Sequence, residues 1–102
     1  MPRIWTHGVW TVKAGSEDAF VAAWQAMARD AMEELHPREA PHLLRDREQP
    51  SIFRSFGYWE EAEQVERFRS LIQPHLQRIR ELTESIEVFA LDEVPLLPER
   101  EP

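Results

Sequence analysis

One stretch decides the fold of this chain: Val12-Lys13-Ala14-Gly15-Ser16-Glu17-Asp18-Ala19-Phe20. The residues before it, from Ile4 to Val12, are rich in β-branched and aromatic side chains, which is typical of a strand. Gly15 supplies a permissive backbone for a turn, and Ser16 is expected to cap a helix whose first turn is acidic. The stretch therefore predicts a strand that turns directly into a helix.

The helix that follows has one apolar face. Its large side chains recur at spacings of three and four residues, as in an amphipathic helix. The predicted face consists of Phe20, Trp24, Met27, Ala31 and Leu35. Pro37 and Pro41 then bound a polar connection, because proline does not fit inside a helix.

The rest of the chain predicts a hairpin, an interrupted helix and a last strand. A short strand is expected from about His42 to Asp46, and a polar turn leads from it into a second strand at 52–59. A helix is expected from Glu60 with a break at Pro74, and a last strand over 86–94. The order β-α-β-β-α-β predicts an α+β, ferredoxin-like fold, with a four-stranded antiparallel sheet and helices on one face.

Length and composition agree with one small domain, which we expect at 1–94 with a C-terminal tail at 95–102. The chain has 102 residues and no cysteine, which excludes disulfides and thiolate metal sites and is typical of a cytoplasmic protein. Its formal net charge of −7 argues against nucleic acid and anionic membranes as partners. No stretch approaches the ~20 apolar residues of a membrane span.

The predicted strands are apolar on both faces. Side chains alternate along a strand, so Trp5, His7 and Val9 should share the face opposite the helices, together with Phe89 and Leu91 of the last strand. A solvated sheet face is usually polar. The sequence therefore predicts a homodimer in which two sheets pack face to face, with His7 in a structural hydrogen bond at that interface.

Five short segments, in chain order, resemble those of a known family. They are Val12-Lys13-Ala14-Gly15 with Glu17 and Phe20, Leu44-Arg45-Asp46, Phe53 through Trp59-Glu60, Pro74-His75-Leu76, and Ile86-Glu87-Val88-Phe89. Over residues 4–94 the chain resembles an antibiotic biosynthesis monooxygenase domain of the dimeric α/β-barrel superfamily. The resemblance implies a dimeric barrel and an oxidase that uses O2 without a metal or flavin, the aromatic substrate supplying the electrons.

Such a reaction needs an apolar pocket between helices and sheet with a few polar groups. The substrate pocket is predicted from aromatic side chains and one strand glycine that leaves space beside them. The predicted pocket residues are Gly8, Trp10, Trp24, Trp59 and Phe68. Aromatic residues at these spacings also fill ordinary cores, so both interpretations stay open.

His75 is the predicted catalytic residue, a general base for a phenolic proton. It follows Pro74 at the restart of a helix and lies beside Leu76 at the edge of the apolar face, from which it would reach the pocket. A histidine at the surface edge of a helix would show the same pattern. The histidine spacings match no metal motif, so neither a metal nor a cofactor is expected.

The resemblance extends to haem-degrading enzymes, which rely on an asparagine, a tryptophan and a histidine. The first two positions fall on Gly8 and Phe68 here, and His75 stands at a shorter offset than that branch requires. The sequence therefore argues against haem degradation. Two functions remain: a cofactor-independent monooxygenase acting on a small aromatic, phenolic or quinol compound, or a non-catalytic dimeric barrel that binds a small apolar ligand or a partner protein.

Overall fold

The chain folds into one four-stranded antiparallel sheet with its helices on one face. The structure is a computed structural model that describes residues 3–96. Its elements are β1 (Ile4–Val12), α1 (Glu17–Leu35), β2 (His42–Arg45), β3 (Ile52–Trp59), α2 (Ala62–Leu71), α3 (Gln73–Leu82) and β4 (Thr83–Asp92). The strands lie in the order β2-β3-β1-β4. This is the α+β ferredoxin-like fold that the sequence predicts.

The core lies between the helices and one face of the sheet. β1 buries every second side chain toward it, because successive strand residues alternate between faces. Trp10 and Val12 pack in one cluster with Phe20 of α1 and Ile79 of α3, both fully buried. All five residues of the predicted α1 face are buried, which confirms the helical periodicity.

The turn between β1 and α1 contains one confirmed and one wrong prediction. Gly15 adopts a φ of +88°, a conformation that favours glycine. The Ser16 side chain makes no capping hydrogen bond. Glu17 takes that role instead: its carboxylate accepts from Gly15 N at 2.8 Å and from Ser51 Oγ at 3.0 Å. This carboxylate therefore ties the turn to the β2–β3 connection.

Hydrogen bonds also stabilise the ionised form of the Glu17 carboxylate. Its own backbone N–H, Ser51 and Gly15 all donate to it, and together they lower its pKa from the ordinary value of 4.5. The residue is thus stabilised in its charged form.

The first strand of the hairpin, β2, ends one residue earlier than expected. β2 ends at Arg45 because the side chain of Asp46 bonds to the turn that follows. Asp46 Oδ1 accepts from the backbone N–H groups of Glu48 and Gln49, at 2.8 Å each. These two bonds lower the pKa of Asp46, that from Gln49 being the stronger. The turn is therefore an Asx-type turn.

The second helical region is split as predicted, although it starts later than Glu60. α2 begins at Ala62, because Glu61 and Gln64 form a reciprocal capping box that fixes the helix start. Pro74 lies at the beginning of α3, where its missing N–H removes no helical hydrogen bond. The proline therefore starts a new helix.

β4 begins at Thr83, earlier than the predicted position 86. Thr83 pairs with Val12, and the backbone N–H of Lys13 donates to Leu82 O at 2.9 Å. These long-range bonds make a strand of a segment whose composition is typical of a turn.

The predicted tail at 95–102 is described only in part. Residues 97–102 lie outside the described residues, and the domain boundary at 94 stays a prediction. Within residues 3–96, no helix is long and apolar enough to cross a membrane.

The outer face of the sheet carries the aromatic side chains that the alternation predicts. His7 stands opposite Phe56 on one side and Phe89 on the other, with ring centroids 4.6 Å and 5.9 Å apart. Trp5 packs against Tyr58 in the next row at 5.2 Å. A continuous aromatic band therefore crosses the sheet on the side away from the helices.

Candidate functional site

A narrow apolar pocket lies between the helices and the sheet. It contains about 580 Å³ of space that no atom fills, part of it open to solvent, but the centre of a water molecule reaches only about 30 Å³ of this space. The pocket is therefore narrow, and we call it the slot. The five predicted pocket residues, Gly8, Trp10, Trp24, Trp59 and Phe68, all line it.

Two indole rings, those of Trp10 and Trp59, form the sheet side of the slot. Trp10 Nε1 donates to Ser55 Oγ at 2.9 Å, and Trp59 Nε1 donates to Thr6 Oγ1 at 3.0 Å. Both indoles are 2–3% exposed. Since a buried indole N–H needs an acceptor, these two hydroxyls fix the orientation of the rings.

Strand glycines let the indoles lie close to the sheet. A Cβ at Gly8 would stand 2.6 Å from both Trp10 Nε1 and Ser55 Oγ. A Cβ at Gly57 would stand 2.8 Å from Thr6 Oγ1 and 3.2 Å from Trp59 Nε1. The space beside Gly8, which the sequence predicts to be open to a ligand, is therefore occupied by the ring of Trp10 and the hydroxyl of Ser55.

The opposite side of the slot comes from the helices. Trp24, Met27, Ala28 and Ala31 of α1 line it together with Phe68 of α2. Phe68 also packs on Trp59, with ring centroids 5.0 Å apart. The slot is therefore apolar on its helix side.

The connection between α1 and β2 contributes the remaining side of the slot. Pro37, Glu39 and Pro41 belong to the lining, and Glu39 is exposed. Among the lining residues described, Glu39 is the one carboxylate. The sequence alone does not point to Glu39, because a connection of this kind gives no indication of which side chains will border a pocket.

His75 is not among the residues that line the slot. Its Nε2 lies 2.6 Å from Asp30 Oδ2 on α1, with the imidazole 24% and the carboxylate 52% exposed. Because α3 turns Leu76 and Ile79 toward the core, His75 points along the α1–α3 surface instead. Pro74 therefore does not turn this side chain toward the slot, and the catalytic role of His75 stays a prediction.

His7 lies on the outer face, where the alternation places it. Its Nδ1 is buried, and no described residue forms a hydrogen bond with it. The expected structural hydrogen bond is therefore not made among residues 3–96. A buried ring nitrogen without a partner is unusual.

A polar cleft lies at the start of β1 and shares the lining residues Glu39 and Tyr58 with the slot. Arg3 Nη1 and Trp5 Nε1 donate to Glu93 at 3.1 Å and 2.8 Å. The Trp5 bond first, and then the Arg3 bond, lower the pKa of Glu93 below its ordinary value. These groups form hydrogen bonds with one another, and the bonds join β1 to the end of β4.

No group of three or more metal-binding side chains is present among residues 3–96. The polar groups that line the slot include two hydroxyls, two indole N–H groups and the carboxylate of Glu39. These are hydrogen-bonding groups. Sequence reasoning missed Thr6 and Ser55, although both occur two residues before a strand glycine.

The sequence matches a known protein family. The sequence profile of the antibiotic biosynthesis monooxygenase family matches residues 4–82. A comparison with curated proteins finds no significant match.

Several solved structures share the fold. SnoaB, a cofactor-independent oxygenase from Streptomyces nogalater, is 19% identical with a TM-score of 0.80, over 97% of this chain and 100% of that chain. Protein SO0527 from Shewanella oneidensis is 20% identical with a TM-score of 0.80, over 90% and 91% of the two chains. PA3566 from Pseudomonas aeruginosa is 15% identical with a TM-score of 0.74, over 93% and 97%.

Proposed function

The chain belongs to the antibiotic biosynthesis monooxygenase family, and on that premise we propose that it oxidises a small aromatic, phenolic or quinol compound with O2. The substrate would lie in the slot between α1, α2 and the sheet. No metal or flavin takes part in this proposal, since the substrate itself provides the electrons.

The shape and lining of the slot carry the proposal. Its sides are indole and aliphatic groups, and a flat aromatic ring is the kind of molecule that we expect so narrow a space to admit. Burying such a ring contributes favourable free energy of about 25 cal/mol per Å² of apolar surface. The hydroxyls of Thr6 and Ser55 supply the few polar groups that orient a ligand in an apolar pocket.

The proposed reaction balances without a further reductant. Removal of a phenolic proton gives an electron-rich anion that reacts with O2. One oxygen atom forms a new bond to a ring carbon, and the other leaves as water with two hydrogens from the substrate. O2 takes up four electrons in this reaction. Two come from the ring carbon that gains the oxygen atom, and two come from oxidation of the quinol to the quinone.

Two side chains are candidates for removing the phenolic proton. His75, the predicted base, pairs with Asp30 in the single chain and would have to leave that pair to act. Glu39 borders the slot and is exposed to solvent, which can carry the proton away. Substitution of each residue separates these two assignments.

The family resemblance and the outer face together support a homodimer. Phe89 is 42% and Leu91 46% exposed on the outer face, and the His7 Nδ1 on this face has no partner within the described chain. A second copy would cover the aromatic side chains and bring polar groups to this nitrogen. Packing of two sheets through these faces gives the dimeric α/β barrel.

Binding without catalysis is the second candidate function. One observation favours it: the helix and sheet sides of the slot carry only neutral polar groups, and the carboxylate at its border is exposed. In that case the protein would bind a small apolar ligand or a partner protein and leave it unchanged.

Oxygen uptake distinguishes the two functions. The purified protein is incubated with a panel of hydroquinones and anthrone-like phenols in the presence of a chelator, and O2 consumption is measured against product formation. The proposed oxidase consumes one O2 per product and loses activity in Ala28→Leu, which fills the slot. Ala22→Leu, on the exposed side of the same helix, is the matched control. Ligand binding without O2 uptake across the panel would instead establish the binding function.

A further inference from the structure

β1 and β3 carry the same five-residue pattern. Thr6-His7-Gly8-Val9-Trp10 and Ser55-Phe56-Gly57-Tyr58-Trp59 both read hydroxyl, any residue, glycine, any residue, tryptophan. In the ladder His7 stands opposite Phe56, so the two copies are related by a local twofold axis through this pair. The two copies of the pattern are therefore related in space as well as in sequence.

Each copy of the pattern completes the other. Thr6 stands opposite Gly57, and Gly8 stands opposite Ser55. The indole of each copy passes over its own glycine and donates to the hydroxyl of the opposite copy, at 2.9 Å and 3.0 Å. The result is two indole–hydroxyl pairs on either side of the axis, both on the lining of the slot.

The two hydroxyls keep an unused donor. A hydroxyl donates one hydrogen and accepts through two lone pairs. Thr6 Oγ1 and Ser55 Oγ each accept from an indole, and no described residue accepts a hydrogen bond from either of them. Since Thr6 is only 8% exposed, its free O–H faces an apolar interior, where an unmet donor costs free energy.

We propose that Thr6 and Ser55 form a paired anchor for a planar aromatic ligand with two oxygen atoms at opposite sides of its ring. This inference rests on the proposed function and specifies its substrate class. The hydroxyls belong to diagonal positions of the ladder, whose separation is about 7 Å. Each donates to one ligand oxygen, and the bond strengthens when that oxygen becomes anionic, as it does on removal of a phenolic proton.

Binding of three related probes tests the anchor. Naphthalene, 1-naphthol and 1,4-naphthoquinone have similar rings with none, one and two oxygen atoms. Their affinities for the full chain are measured by equilibrium dialysis under argon, where no turnover occurs. The chain has no cysteine, so the quinone meets no thiol that would consume it.

The variants Thr6→Val and Ser55→Ala each remove one hydroxyl. We expect each to weaken naphthoquinone binding about 2- to 12-fold, the range of one hydrogen bond, and to leave naphthalene binding within about twofold. Thr11→Val, on the outer face of β1, and Ser70→Ala, exposed on α2, are the matched controls. Thr6→Ser keeps the hydroxyl and should retain the quinone affinity even where Thr6→Val fails to fold.

The outcomes separate this inference from the proposed function. Equal affinity of wild type for naphthalene and naphthoquinone, or an equal loss of both in the variants, would show that the hydroxyls only orient the indoles, and the anchor would be wrong. A folded wild-type protein that binds none of the probes would remove the ligand site itself, and with it the proposed function.

Discussion

The indole nitrogen of Trp10 donates to Ser55 Oγ at 2.9 Å over the bare backbone of Gly8. A methyl group at Gly8 would come within 2.6 Å of both partners, so the ring has to move if glycine is replaced. The hydrogen bond therefore depends on the glycine. The same relationship holds for Trp59, Thr6 and Gly57.

Gly8→Ala is expected to destabilise the protein by about 1–3 kcal/mol, the usual cost of overpacking. Gly57→Ala should cost less, because the added methyl meets the Trp59 ring at 3.2 Å rather than 2.6 Å. Thermal unfolding of both variants checks the order. Equal melting temperatures for Gly8→Ala and wild type would show that the sheet opens easily beneath Trp10.

Trp24→Ala should lower the free energy of unfolding by about 3–5 kcal/mol, as expected for a large aromatic side chain removed from a core. Trp24 is 7% exposed and belongs to the main core cluster. Denaturant unfolding measures the loss, with Leu44→Ala, at a residue 54% exposed, as the control. Similar losses in the two variants would contradict the core position of Trp24.

His75→Ala is expected to leave turnover within about twofold of wild type, because the imidazole lies on Asp30 and outside the slot. A partly exposed side-chain pair of this kind contributes about 0–1 kcal/mol to stability. Steady-state O2 uptake of His75→Ala and Glu39→Gln is the measurement. A loss of about 10²–10⁴ in His75→Ala with an intact fold would instead establish His75 as the base.

Glu17→Gln should reduce stability at neutral pH and have little effect in acid. The folded-state pKa of Glu17 lies below its ordinary value of 4.5, so the carboxylate stabilises the fold above that value and ceases to do so as pH falls through the folded pKa. Melting temperatures of wild type and variant are compared as the pH is lowered from about 7, and the difference between them should shrink. A difference independent of pH would rule out this linkage; Glu33→Gln, exposed on the same helix, is the control.

Phe89→Asp should dissociate the proposed dimer or unfold the chain, because a charge would be buried between the two sheets. Val9→Asp, in the adjacent row of the outer face, should do the same. Met32→Asp is a matched control, since Met32 and Phe89 are both 42% exposed in the single chain. Sedimentation distinguishes the states, and a dimer interface of this kind should bury on the order of 2,000 Å² or more. Wild-type protein that sediments only as a 12.1 kDa monomer would contradict the dimer.

The fold was predictable wherever local chemistry and long-range pairing agree. β1 and β3 have the predicted bounds because glycine, proline and polar residues bracket runs of strand-forming side chains. β4 differs because Thr83 gains a strand partner in Val12, which no local pattern reveals. Ser16 fails as a cap because its backbone, at φ −104° and ψ 9°, lies outside the extended region that a capping residue adopts.

The candidate site was predictable in its apolar part only. Trp10 and Trp24 could be placed by strand alternation and helical periodicity, which fix the inward side of each element. His75 could not, because the residues that line the slot include none from α3, and the sequence does not show which helix borders a pocket. The roles of Thr6 and Ser55 depend on the register between β1 and β3, which the sequence of each strand alone does not specify.

His7 and Phe56 belong to both faces of the sheet at once. Their side chains stack on the outer face, while both residues also border the slot on the other side. The partition between the two surfaces is thus a single peptide layer. A molecule that covers the aromatic band would rest on the back of this layer. We therefore expect assembly on one surface to affect the ligand capacity of the other.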